Sequence, residues 1–252
     1  MEEFTRLAEL MASLRSDQGC PWDKKQDEKA FRTFLLEEVY EVIDAIEKED
    51  HEALKEELGD VLFHILFIAQ ICKEKGLFDI RDVLASTYTK MYNRHPHVFQ
   101  RGEPDTTPIQ QRWEEIKRTE KPHYSAVSNV PKILPALLRS YVISKRAAKL
   151  GFDWGTREGV HEKITEEIGE LKDAERTGNK EFIEEEIGDL LFTIANLSRF
   201  HDIDPEAALR RTISKFVRRF AYVESKADLT NPDPKAMDEL WNEIKDAEKK
   251  GR

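Results

Sequence analysis

The chain carries one series of charged motifs twice. Glu38 and Glu41 recur as Glu167 and Glu170, and Glu57 and Asp60 recur as Glu186 and Asp189, each 129 positions further on (38 to 167, 60 to 189). Two later blocks keep the same order: Lys90 and Arg94 return as Lys215 and Arg219, and Trp113 with Lys117 returns as Trp241 with Lys245. Ordered blocks at a nearly constant offset indicate duplication, so the chain should fold as two copies of one unit rather than around a single large core. Divided between two copies, the 252 residues give units of about 120, an ordinary domain size. The expected division is a first domain over 1–121, a Pro-marked linker over 122–135 and a second domain over 136–252.

Helical periodicity fills the stretches between Gly and Pro clusters. Leu35, Leu36, Val39, Val42, Ile43 and Ile46 follow the 3, 4, 7 spacing of a helix stripe, and so do Leu54, Leu58, Val61, Leu62 and Ile65. The fold class expected is all-α, as tandem helical bundles. The helix carrying Asp60 turns apolar nearly all round after that residue, which predicts burial.

Composition removes several function classes. Forty Lys and Arg against 50 Asp and Glu leave a net charge of −10, which speaks against a broad grip on polymeric nucleic acid. Cys20 and Cys72 stand alone, so neither a disulfide scaffold nor a zinc knuckle is expected. The longest apolar run, Val61 to Ile71, is shorter than the roughly 20 residues of a membrane span. The opening Met1, Glu2, Glu3 has no secretory character, so a cytoplasmic protein without a membrane partner is expected. Neither GxxxxGK[ST] nor GxGxxG occurs, so any phosphate must be held by metal and side chains.

Glu38 and Glu41 share one helix face, as do Glu57 and Asp60 on the next helix, and two antiparallel neighbours can point four carboxylates into one space. Four oxygen donors suit a hard divalent cation, Mg²⁺ or Mn²⁺. An acidic protein also lines solvated faces with carboxylates, and for any single Glu that reading stays open. The repeat favours the cation, because the 16-residue step from Glu41 to Glu57 equals that from Glu170 to Glu186. His64, a turn beyond Asp60, is a further possible ligand, but its counterpart is Thr193. A di-iron bundle would require Glu-x-x-His motifs, which the acidic blocks lack.

Lys90 with Arg94 and Lys215 with Arg219 are i, i+4 pairs able to reach one polyanion together, with phosphate as the obvious candidate; balancing of nearby acids is the equal alternative. Trp113 and Trp241 suit either the core or, as the smaller share, stacking on a base.

Glu37-Glu38-x-x-Glu41, Glu57-x-x-Asp60, Lys90-x-x-x-Arg94 and Trp113-x-x-x-Lys117, with their second copies, closely resemble the MazG family of nucleoside triphosphate pyrophosphohydrolases in its two-domain form. Gly19-Cys20-Pro21-Trp22-Asp23, the segment Arg94 to Phe99 with His95 and His97, and Gly151-Phe152-Asp153-Trp154 support the resemblance, which spans essentially the whole chain. It implies an all-α enzyme that cuts ribo- and deoxyribonucleoside triphosphates between the α and β phosphates. It also implies a role in nucleotide-pool housekeeping or stress-nucleotide control, and a homodimer or higher oligomer. By position, the implied second-half metal ligands are Glu167, Glu170, Glu186 and Asp189. The implied nucleotide contacts are Lys163, Ile164, Thr165, Glu166, Glu167, Phe182, Ile183, Glu184, Glu185, Lys215, Phe216, Val217, Arg218, Arg219 and Trp241 with Lys245. The first half retains its own set in Glu38, Glu41, Glu57 and Asp60, so one or two working sites are both open. Glu166 or Glu167 is the expected base, with Lys215 and Arg219 stabilising charge on departing pyrophosphate. The competing readings are a non-enzymatic helical interaction module and a phosphoribosyl-nucleotide pyrophosphohydrolase.

Overall fold

The computed structural model describes residues 2–99, 112, 116, 119, 120 and 125–250, and the chain divides into two compact units, Met1–Thr107 and Pro108–Arg252. Among the described residues all regular structure is helical. The first unit holds α1 (Glu2–Leu14), α2 (Pro21–Lys25), α3 (Glu28–Glu47), α4 (His51–Glu74), α5 (Ile80–Arg94) and α6 (Pro96–Phe99). The second holds α7 (Ala136–Ala148), α8 (Arg157–Thr177), α9 (Lys180–Phe200), α10 (Pro205–Lys226) and α11 (Pro234–Lys250). Trp113 and Lys117 lie outside the described residues.

The duplication appears as two helical hairpins, α3 with α4 and α8 with α9, each the most extensively packed pair of its unit. Short polar residues start these helices. Asp27, Asp50, Thr156 and Asn179 each accept a backbone N–H of the first turn, satisfying donors that the helix leaves orphaned. Gly178, at φ 68°, ends α8 in the left-handed conformation that a side chain would strain, and the chain reverses into α9 within two residues.

In the first unit α1 packs on α4, and the core gathers Met11 of α1, Phe31 of α3, and Leu66, Phe67 and Ile71 of α4. The Phe31 and Phe67 rings stack with centroids 3.9 Å apart. Arg15 fastens the turn after α1: its Nη1 donates to the carbonyls of Asp23 at 2.6 Å and Gln26 at 3.1 Å, while Nη2 meets Glu74 at 2.8 Å. Gly19 is required in that turn, since a Cβ there would stand 2.2 Å from the Leu14 carbonyl oxygen. The Gly19 to Asp23 motif thus has a structural task.

The second unit has a core of smaller side chains, Ala126, Val130, Val160, Ala174, Ala195, Ala207 and Val223, with α7 packed on α9 and α10. Asp153 of the second motif pairs with Arg199, tying that loop to α9.

The predicted burial of α4 holds for His64, Leu66, Phe67, Ala69, Ile71 and Cys72, whereas Leu58, Gly59, Asp60 and Ile65 are exposed. The stripe on α3 is not a buried stripe: Leu36, Val39 and Ile46 are exposed, and so are Ile168, Ile187 and Leu191 in the second hairpin. Periodicity identifies an apolar helix face, but burial depends on a covering element, and within each unit α1 or α7 covers only part of the hairpin.

Candidate functional site

The acidic motifs converge once in each unit, because residues three apart on each helix of a hairpin face its neighbour. In the first unit Glu38 and Glu41 of α3 and Glu57 of α4 each offer an oxygen, all within 4.8 Å of one another. In the second, Glu167 of α8 joins Glu186 and Asp189 of α9 within the same limit. Asp60 and Glu170 stand outside these groups of three, though both act on them electrostatically.

Three of these carboxyls, Glu38, Glu57 and Glu186, are raised above their ordinary range. Burial pushes Glu38 up, followed by the like charges of Glu41 and Asp60; burial and then Glu41 raise Glu57. Glu186 is raised by burial first, then by Glu170, Glu167 and Asp189. Such shifts mark places where negative charge lacks compensation.

One cation enters the second cluster. The Lys163 ammonium, one turn before Glu167 on α8, lies 2.8 Å from Glu166 and 2.9 Å from Glu167. Glu167 is 3% exposed, an unusual burial for a carboxylate. The two ion pairs hold the Lys163 ammonium well above its usual range, with the Glu166 bond the larger cause. The first unit has Phe34 at the matching place, 129 positions earlier, and its ring packs beside Trp22, Phe31 and His64 instead.

His64 belongs to that aromatic packing. Its Nδ1 lies 2.9 Å from the Asp60 carbonyl oxygen, and the ring is outside the carboxylate group. His95 is a helix-end residue whose Nδ1 lies 2.6 Å from the Met91 carbonyl oxygen, with the His97 ring nearby.

The remaining candidates sit elsewhere in the second unit. Phe182, Ile183, Glu184 and Glu185 occupy the opening turns of α9, just before Glu186, with Phe182 exposed. Lys215, Phe216, Val217, Arg218 and Arg219 lie on α10, and Trp241 and Lys245 on α11. Trp241 packs against Phe216 at 5.2 Å, with the Arg219 guanidinium 5.7 Å from its ring. Arg218 and Arg219 both grip Glu248 of α11, at 2.7 Å and 2.8 Å. Among the described residues no ion pair joins Lys215, Arg218 or Arg219 to the carboxylates of α8 and α9. Glu248 escaped the sequence reading because it belongs to neither repeated motif; its position on the basic face of a helical hairpin is a tertiary fact.

Within each unit, then, the carboxylate groups form at the same place on equivalent hairpins. The model of the MazG nucleotide pyrophosphohydrolase domain matches residues 26–99 and again 156–223, which are the first hairpin with α5 and α6 and the second with most of α10. The chain belongs to the MazG family.

The nucleoside triphosphate pyrophosphohydrolase/pyrophosphatase MazG of Thermotoga maritima is 43% identical over 249 residues, covering 96% of this chain and 95% of that protein. A nucleoside triphosphate pyrophosphohydrolase of Escherichia coli is 41% identical, over 97% and 98% of the two chains. A solved mazG-related protein from Thermotoga maritima aligns with 46% of this chain and 99% of its own, at 29% identity and a TM-score of 0.39. The family is an enzyme family of phosphoanhydride hydrolases by the description of its domain, and this MazG chain carries the domain twice. Among the described residues no helix is long and apolar enough to cross a membrane.

Proposed function

We propose that the chain is a divalent-metal-dependent nucleoside triphosphate pyrophosphohydrolase, cleaving between the α and β phosphates to release a nucleoside monophosphate and pyrophosphate. The observation that carries this reading is the repeated gathering of three carboxylates inside a family whose relatives are named for that activity. The donor set fits a hard cation. All donors are oxygens, and oxygens around an octahedral Mg²⁺ stand up to roughly 4.2 Å apart, compatible with groups whose members lie within 4.8 Å. Glu167, Glu186 and Asp189, with Glu170 beside them, are the proposed ligands of the second site; Glu38, Glu41 and Glu57, with Asp60 beside them, are those of the first. Mg²⁺ or Mn²⁺, when bound, neutralises phosphate charge and polarises the phosphoryl oxygens.

The chain's own groups do the rest. Glu166, exposed beside the buried Glu167, is the proposed base that orients a water and accepts its proton at a carboxylate oxygen, with Glu167 as the alternative. Lys163 holds both in place. Lys215 and Arg219 are proposed to meet the pyrophosphate moiety, and Arg219 can do so while held by Glu248, since its bonds there use Nε and Nη2 and leave Nη1. Trp241, which packs near Phe216 and Arg219, is proposed to offer a ring for the base. The exposed apolar residues of both hairpins support a homodimer or higher oligomer, in which a second copy covers them. Nucleotide-pool housekeeping is the proposed role.

The test is pyrophosphate release from a panel of ribo- and deoxyribonucleoside triphosphates with Mg²⁺, using the intact chain and chains in which one cluster is neutralised. Release by intact chain that disappears in Glu167→Gln/Glu186→Gln is expected. Release that persists with both clusters neutralised would sink the proposal, and activity confined to the first cluster would exclude the second as a working site.

A further inference from the structure

The two carboxylate clusters are near copies, but the residue one turn before the first carboxylate differs: Phe34 precedes Glu38, and Lys163 precedes Glu167. That difference decides which cluster already contains a positive charge. In the second unit the Lys163 ammonium sits 2.9 Å from Glu167, a member of the cluster, and 2.8 Å from its neighbour Glu166. In the first, Phe34 turns to Trp22 and His64, and among the described residues no Lys or Arg pairs with Glu38, Glu41 or Glu57.

We propose that Lys163 is a tethered counter-ion that opposes divalent-cation loading of the second cluster until a triphosphate is present, whereas the first cluster takes the cation without nucleotide. The inference rests on the proposed function, in that both clusters are taken as cation sites. A divalent ion on Glu167 must share or displace the Lys163 ammonium, and two cations within a few ångströms of one another repel. A triphosphate relieves that conflict, because its oxygens can accept from Lys163 and also face the metal, so each cation gains an anionic neighbour. Nucleotide and metal therefore bind the second site with positive coupling, which is reciprocal by linkage. The first site has no such cation and no such coupling. Lys163 acts on the nucleotide-free cluster through Glu167 and, once a triphosphate is bound, on the phosphate oxygens directly.

Mn²⁺ binding to the intact chain, followed by electron paramagnetic resonance and calorimetry, tests this without turnover. Glu38→Gln/Glu57→Gln leaves only the second cluster, and Glu167→Gln/Glu186→Gln only the first. Without nucleotide, the second cluster should bind Mn²⁺ about tenfold or more weakly than the first, as expected for one charge-assisted pair in competition. Adding Lys163→Met or Lys163→Gln to the Glu38→Gln/Glu57→Gln chain should raise its Mn²⁺ affinity by a similar factor. Lys163→Arg, which keeps the charge, should not. A non-hydrolysable α,β-methylene triphosphate should tighten Mn²⁺ binding at the second cluster strongly, and much less once Lys163 is Met. Unchanged or weaker Mn²⁺ binding in both neutral Lys163 variants overturns the inference while leaving the metal site standing. Absence of Mn²⁺ binding in every chain, with the analogue present, overturns the metal reading and this inference together.

Discussion

Arg219 and Glu248 join the last two helices of the chain: the Arg219 Nε donates to Glu248 Oε2 at 2.9 Å, and Arg218 takes the other oxygen, Oε1, with its Nε at 2.9 Å. The carboxyl is held below its ordinary range by Arg218 first and Arg219 second. If α10 supplies phosphate contacts, Arg219→Ala removes a charge-assisted bond, and KM for a triphosphate should rise about tenfold or more. Glu248→Gln, which leaves both guanidiniums without their counter-charge, should lower KM and steepen its dependence on salt. Steady-state pyrophosphate release at two ionic strengths measures both; an unchanged KM in Arg219→Ala removes Arg219 from the site.

Metal binding should appear as stabilisation. A ligand that binds only the folded state at one hundred times its dissociation constant stabilises by about 2.7 kcal/mol. Mn²⁺ is expected to raise the melting temperature of the intact chain. Glu57→Gln should remove the part due to the first cluster and Glu186→Gln the part due to the second. Differential scanning calorimetry with and without Mn²⁺ resolves the two, and an equal shift in the doubly neutralised chain argues against both sites.

Glu186 gives a pH signature. Its carboxyl is raised above the ordinary 4.5, by burial first and then by Glu170, Glu167 and Asp189. The folded chain therefore binds this proton more tightly than the unfolded chain. The group's contribution to folding is complete below about 4.5 and is lost as pH rises through its higher folded value. Metal-free Glu186→Gln should melt above the parent chain at pH 7, with the difference shrinking towards zero near pH 4. A lower melting temperature for the variant at pH 7 contradicts this.

The first unit depends on the turn after α1. Gly19→Ala places a Cβ 2.2 Å from the Leu14 carbonyl oxygen and 2.5 Å from that of Ser13, both backbone atoms that cannot rotate away. Arg15→Ala strips two carbonyls and Glu74 of their shared donor. Each should cost about 2–4 kcal/mol in the first unit. Glu74 is held low by Arg15 first, then by Gln70, so its contribution is present above its unfolded value of 4.5 and is lost as pH falls through its lower folded value. Limited proteolysis across acid pH reads out the first unit; equal resistance in Gly19→Ala and the parent chain contradicts the role given to the turn.

Much of this was readable before any coordinates. Glu38, Glu41 and Glu57 meet because three-residue spacing fixes a shared helix face and a short connection folds one helix back on the other. The duplication survives as two equivalent hairpins because each copy carries its own caps and its own apolar face. The sequence misled where burial was inferred from pattern. Ile65 lies in the stretch after Asp60 for which burial is predicted, yet it is 39% exposed. His64, whose counterpart in the repeat is Thr193 and which the sequence therefore left out of the duplicated set, turns its ring to Phe31, Phe34 and Phe63.

Helix periodicity, repeated motifs and family membership are properties of order along the chain, governed by bonds and contacts within a few residues. They suffice for an all-α, twice-repeated protein with paired acids. Side-chain pairing across helices depends on the positions of atoms distant in sequence. Only the folded arrangement determines that Phe34 turns to the Trp22 and His64 rings, or that Glu248 holds Arg218 and Arg219. Coulomb and hydrogen-bond energies change steeply over an ångström or two, so a residue's identity states what it can bind, and its neighbours in space decide what it does.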